Sequence, residues 1–368
     1  MIKDLVLPAV YGIGALSLAL GVYEITLRGP LVIAAHEENV EQVKMLLMAG
    51  TNPNQTKCGF SVLFCAVSKG NVKIVKMLLS LGANVNKLSW GVAPLFVAAK
   101  NRYIDTVRAL LEAKADPNGA NKEKSTALLM AACQGDLALV EILLRGGADP
   151  NLYNNHGISP LYAAATLGYL EIARLLLGAG ANPNHRENKF GLTPLLAASY
   201  IGNTELVKLL LAAQADVNLC AYRHNAILRF LGQSMENSND GYSPLFVAVA
   251  HEYALIAQAL IGAKADVNHG DEAPIMKAVE KGNVTIVRLL VQANARRDVT
   301  KNGQTLEMIA NNLEEKTKTT ILKLLTPPVV QTRSAIAVSL LDSVVRRDNA
   351  GLDRKVSSPI KPSQTVAA

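Results

Sequence analysis

The chain of 368 residues carries 37 Lys and Arg against 30 Asp and Glu, a net charge of +7, with aromatic residues at 5%. Residues 326–368 hold six of those cations and three of the acids, so +4 is spread over the rest, too dilute for a phosphate-binding stripe and against nucleic acid as a partner. Four cysteines at irregular spacing, Cys58, Cys65, Cys133 and Cys220, point to reduced thiols and away from a disulfide framework.

The first predicted element is hydrophobic. Leu5 to Tyr23 is a run of 19 uncharged residues between Asp4 and Glu24, close to the roughly 20 that cross a bilayer as a helix. Three readings fit it: a retained membrane anchor, a cleaved secretion signal, and a hydrophobic helix covering the element that follows. The start Met1-Ile2-Lys3-Asp4 is barely positive, and Ser17-Leu18-Ala19 and Ala19-Leu20-Gly21 are mediocre cleavage sites. Residues 1–28 are therefore expected to be a single-pass anchor, with a secreted form as the alternative.

From Pro30 onward the chain repeats. The place of Pro30 is taken in turn by Val62, Pro94, Ala127, Pro160, Pro194, Pro244, Pro274 and Leu306, in steps of 32, 32, 33, 33, 34, 50, 30 and 32 residues. Before it stands a hydroxyl in Thr126, Ser159, Thr193 and Ser243, able to accept from the unpaired N–H groups of a helix whose first position suits proline. Small pairs such as Ala98-Ala99 and Ala163-Ala164 keep that helix thin. Leucine pairs such as Leu78-Leu79 and Leu175-Leu176 supply the buried stripe of a second helix. Gly50, Gly82, Gly147 and Gly180 end it in a left-handed residue, and the Asn or Asp that follows turns the chain outward into a finger.

A period of about 33 residues marks a stacked array, and Gly157-Ile158-Ser159-Pro160-Leu161 with Leu175-Leu176 and Gly180-Ala181-Asn182 resembles the ankyrin repeat over residues 30–325. The resemblance implies an all-α solenoid of helix-turn-helix repeats with β-hairpin-like fingers. Repeats one to six occupy 29–218 and repeats seven to nine, ending in a polar cap, occupy 241–325. The 50-residue step places an insertion at 219–240, in which Ile227, Phe230 and Leu231 share a helical face: either a helix covering apolar surface or a dedicated binding element. Residues 326–368 form a basic, partly disordered tail, with a possible helix from Arg333 to Arg347. One departure from the family stands out. The histidine expected two places after the proline, which links neighbouring turns, is replaced by Val32, Phe64, Phe96, Leu129, Tyr162, Leu196, Phe246 and Met276. The polar link between repeats is therefore expected to be absent and replaced by apolar contacts.

No catalytic, cofactor or metal constellation is found. His36-Glu37-Glu38 and His251-Glu252 lack a second histidine four residues after the first, and no Gly-Lys-Ser or Gly-Lys-Thr loop is present. The chain is read as no enzyme, with no small-molecule substrate. What the resemblance implies instead is a protein partner held on a concave face lined by fingers and first helices. Exposed aromatics are the best anchors for such an interface. Trp90, Tyr153 and Phe190 are expected at finger tips, with Tyr242 beside a finger glycine; the other reading packs Phe190 and Tyr242 on the neighbouring finger. Lys122, His185 and Arg186 rim the patch, and His156 is a further contact. Two readings follow: a membrane-tethered scaffold, and a secreted or translocated bacterial-type effector recruiting a host protein through the same array.

Overall fold

The computed structural model describes residues 29–221, 241–269, 273–301 and 303–326. The hydrophobic segment 1–28, positions 222–240 of the insertion and the tail from 327 lie outside them. Among the described residues no helix is long and apolar enough to cross a membrane. The expected N-terminal hydrophobic helix falls on residues 1–28, outside the described residues. Residues up to Ile321 form one unit and those from Leu322 a second, of which Leu322–Leu325 are helical.

The first unit is a row of helix pairs. Each repeat begins a first helix at the place read from the sequence: α1 Pro30–His36, α3 Val62–Lys69, α5 Pro94–Lys100, α7 Ala127–Gln134, α9 Pro160–Leu167, α11 Pro194–Ile201, α13 Pro244–Ala250, α15 Pro274–Glu280 and α17 Leu306–Ala310. Between them run the second helices α2 Val40–Met48, α4 Val72–Ser80, α6 Ile104–Glu112, α8 Leu137–Arg145, α10 Leu170–Gly178, α12 Thr204–Ala212, α14 Ala254–Gly262 and α16 Val284–Gln292; α18 spans Glu315–Leu325. Consecutive first helices pack on one another along the whole row from α1 to α17.

The starts are fixed by hydrogen bonds that the sequence dictates. Ser61, Thr126, Ser159, Thr193, Ser243 and Thr305 each accept from the backbone N–H three residues on, as Ser159 does from Tyr162 at 3.2 Å. Second helices are capped by Asn39, Asn71, Asp136, Asn203 and Asn283 in the same way. Two fingers contain a short antiparallel ladder, β1 Thr56–Lys57 with β2 Phe60–Ser61 and β3 Thr300–Lys301 with β4 Gln304–Thr305. Two more are closed by single bridges, Ser89 to Val92 and Ala120 to Thr126.

The core is one continuous column. Val32, Phe64, Phe96, Leu129, Tyr162, Leu196, Phe246 and Met276, which replace the family's histidine, are all buried. The histidine link is thus replaced by apolar packing, as read from the sequence, while a polar link of another kind joins the repeats. At the base of each finger the second residue of an Asx-x-Asn step reaches the next repeat. Asn54 accepts from the Asn84 N–H at 2.6 Å, Asn86 from Asp116 at 2.8 Å, Asn118 from Asp149 at 2.9 Å, and Asn151 from Asn182 at 2.7 Å. Asn184 accepts from Asp216 at 2.7 Å, Asn218 from Asp266 at 2.9 Å, and Asn268 from Arg296 at 2.8 Å. The polar link runs through the finger bases, while the column of first helices is apolar.

This ladder also locates the insertion. Asn218 and Asp266 are 48 positions apart, yet they pair like every other rung. Ala221, the last described residue before the gap, donates its N–H to the Tyr242 carbonyl at 3.1 Å. The described residues on either side of the insertion thus meet at one point of the stack.

Candidate partner-binding surface

The fingers preceding repeats two to six are built so that each tip rests on the one before. Two of the tips are held from within by a side chain that folds back on its own turn. Asn121 accepts from Glu123 and Ser125 at 3.0 and 2.8 Å, and the buried Asn154 accepts from His156 and Ile158, both at 3.0 Å. In the finger of the sixth repeat, one residue longer, Glu187 takes that role. Its buried carboxylate accepts from Lys189 at 2.9 Å, from Leu192 at 3.4 Å, and from the Phe190 N–H.

Between tips, contacts are equally regular. Trp90 donates its indole N–H to the Cys58 carbonyl at 2.8 Å, and its ring lies over Gly59, where a Cβ would fall 2.6 Å from Nε1. Gly59 has φ +83°, so glycine is required there by both backbone and space. Asn155 donates its N–H to the Glu123 carbonyl at 2.9 Å, and Asn188 its N–H to His156 at 3.0 Å. Gly157, at φ +75°, lets Asn188 approach, since an added Cβ would meet its nitrogen at 2.6 Å.

The structure places the sequence-predicted residues unevenly. Trp90 is 54% exposed, in a left-handed conformation at φ +54°, with its ring 5.6 Å from that of Phe60 and the Lys122 ammonium 5.7 Å above it. Tyr153 is 50% exposed and stacks on His185 at 4.6 Å, while His185 Nε2 lies 2.9 Å from the Gly157 carbonyl. His156 is exposed on the tip between them, and Arg186 is half-buried beside His185. Of the two readings of Phe190, the exposed anchor is corrected and the packed one holds. Phe190 is 7% exposed, packed with Leu196, Ala221, Tyr242, Phe246 and Val247. The turn that Glu187 closes folds the ring inward, and Tyr242 is buried with it.

Apart from Lys122, the lysines on this edge were not read from the sequence. Lys57, Lys87, Lys122, Lys124 and Lys189 are exposed on four of the five fingers. The acids of the same fingers are committed elsewhere. Asp116 and Asp149 accept from Asn118 and Asn151 at the finger base, Glu187 is buried, and Glu123 accepts from Asn155 Nδ2 at 3.2 Å. The signal was available as lysines at finger tips against acids at Asx-turn positions, but the whole-chain balance hid it.

No nucleophile is displayed with a general base among these fingers. The buried thiols elsewhere are held protonated: burial pushes Cys65 up to about 12, the Lys69 charge opposing it, and burial drives Cys133 upward as well. Tyr162 is likewise raised, by burial first and then by the Glu187 charge. Among the described residues no group of three or more His, Cys, Asp or Glu could hold a metal ion.

Comparison with known proteins agrees with this geometry. A family model described as ankyrin repeats matches residues 31–121, 113–187, 184–271 and 245–327. Among solved structures, an ankyrin repeat domain from Acinetobacter baumannii is similar at 34% identity, covering 51% of this chain and 98% of its own, with a TM-score of 0.49. No curated protein matches.

Proposed function

The chain belongs to the ankyrin-repeat family, and from that premise we propose that it is a non-enzymatic scaffold whose finger edge over repeats two to six holds a partner protein. The observation that carries this is the row of exposed anchors, Trp90 and Tyr153, set among five exposed lysines whose neighbouring acids are engaged within the fingers. Aromatic side chains flanked by cations suit a partner segment that is acidic and carries apolar side chains, because such rings contribute most of an interface's energy while charge sets approach and register. His156, His185 and Arg186 complete the edge. Phe190 contributes by shaping it from within.

A pull-down comparing the native chain with a Trp90→Ala, Tyr153→Ala double variant tests the proposal. Loss of the partner with unchanged helical circular dichroism is expected, and equal recovery would contradict it.

The reading extends to a membrane tether through Leu5–Tyr23, supported by that run of 19 uncharged residues. Fractionation of the full chain with N-terminal sequencing tests it. An intact terminus in the membrane fraction is expected, whereas a chain beginning near Val22 in solution would favour the secreted effector.

A further inference from the structure

We propose that Cys220 is a nucleophilic thiol, activated by His269, and that it is a site of S-modification by soft electrophiles. The two residues are 49 positions apart, on either side of the insertion, yet Sγ and Nε2 stand 3.0 Å from each other. The repeat geometry makes this a built contact. His269 directly follows the ladder residue Asn268, as His185 follows Asn184; Cys220 stands two places after Asn218, as Tyr153 stands two places after Asn151. Tyr153 and His185 stack at 4.6 Å across consecutive fingers. Cys220 and His269 are the same pair of positions two steps further along, and the rung from Asn218 to Asp266 holds their fingers in register.

The chemistry follows from the partners. Sγ stands 3.3 Å from the Asn218 carbonyl and 3.0 Å from the His269 imidazole. Nε2 is placed to accept the thiol proton as the sulfur attacks, the arrangement by which an adjacent base activates a nucleophilic thiol. With an alkyl halide such as iodoacetamide, the sulfur forms the S–C bond, iodide leaves, and the proton stays on the imidazole or passes to water. Both residues are half-buried, so a small reagent has access. The other thiols offer internal references: Cys58 is exposed, while Cys65 and Cys133 are buried.

The test is competitive alkylation of the full-length chain with substoichiometric iodoacetamide at neutral pH, followed by mass spectrometric quantification of each cysteine peptide. Cys220 is expected to react about tenfold faster than Cys58, because an imidazole base lies against its sulfur. Cys65 and Cys133 are expected to remain unmodified until denaturant is added. In His269→Gln the Cys220 rate should fall to that of Cys58, with the Cys58 rate itself unchanged as the control for an intact fold. A native Cys220 rate equal to or below that of Cys58 would overturn the proposal without recourse to any variant. An unaltered Cys220 rate in His269→Gln would overturn the role of the imidazole.

Discussion

Replacing Asn151 by alanine isolates what the ladder contributes. Its Oδ1 accepts from the Asn182 N–H at 2.7 Å and its Nδ2 donates to the Gly180 carbonyl at 3.0 Å, both in the next repeat. Its own N–H, which donates to Asp149 at 2.8 Å, is untouched, so the local turn survives the substitution. A net intramolecular hydrogen bond is worth about 0.5–1.5 kcal/mol, and these two lie at an exposed edge, so the loss should be about 1–2 kcal/mol. In a stacked array that loss falls on the coupling between neighbours rather than on one repeat. Urea unfolding followed by circular dichroism should therefore show a lower midpoint. Asn151→Asp keeps the acceptor and loses the donor, so it should fall between the parent and the alanine variant. A midpoint for Asn151→Ala that coincides with the parent would refute the claim that the ladder joins the repeats.

Phe96 is 3% exposed in the column that replaces the family histidine, and Phe96→Ala should cost roughly 3–5 kcal/mol, seen in the same urea titration. Ser159→Ala removes the cap on Tyr162 and should cost about 1 kcal/mol, with Ser159→Gly milder. Burial, and after it the Lys281 charge, holds His251 below its ordinary value, with Tyr200 and Tyr253 rings at 5.1 and 5.7 Å. Protonation thus favours the unfolded chain: this contribution is complete above about pH 6.5 and is lost as pH falls through the lower folded value. Between neutral pH and pH ~5, His251→Gln should lose less stability than the parent; equal losses would count against it.

Much of the fold was legible because its signals are local and repeated. Ser159 before Pro160, the alanine pair behind them and the glycine at position 180 each act within a few residues, and nine helix starts follow from them. The ladder was also written in the chain, as Asn or Asp two places before Asn in each finger. It was missed because one residue serves two partners: its N–H bonds the preceding Asx and its side chain the next repeat, and only stacking shows the second. The candidate surface was half legible. Trp90 and Tyr153 stand at exposed tips, while Phe190 turned inward because the finger of the sixth repeat has one residue more and Glu187 closes it differently. The meeting of Cys220 with His269 could not be seen from spacing, since the insertion between them hides that they occupy neighbouring rungs.

The central claim, that the finger edge holds a partner, is tested most directly by a photoreactive amino acid placed at single positions of the full chain. Tyr153 and Trp90 would each carry it in turn, with Arg174, exposed on a second helix, as the reference. The account predicts a common cross-linked partner from positions 90 and 153 and none from 174. Cross-linking of that partner from 174 alone, or equally from all three, would contradict it.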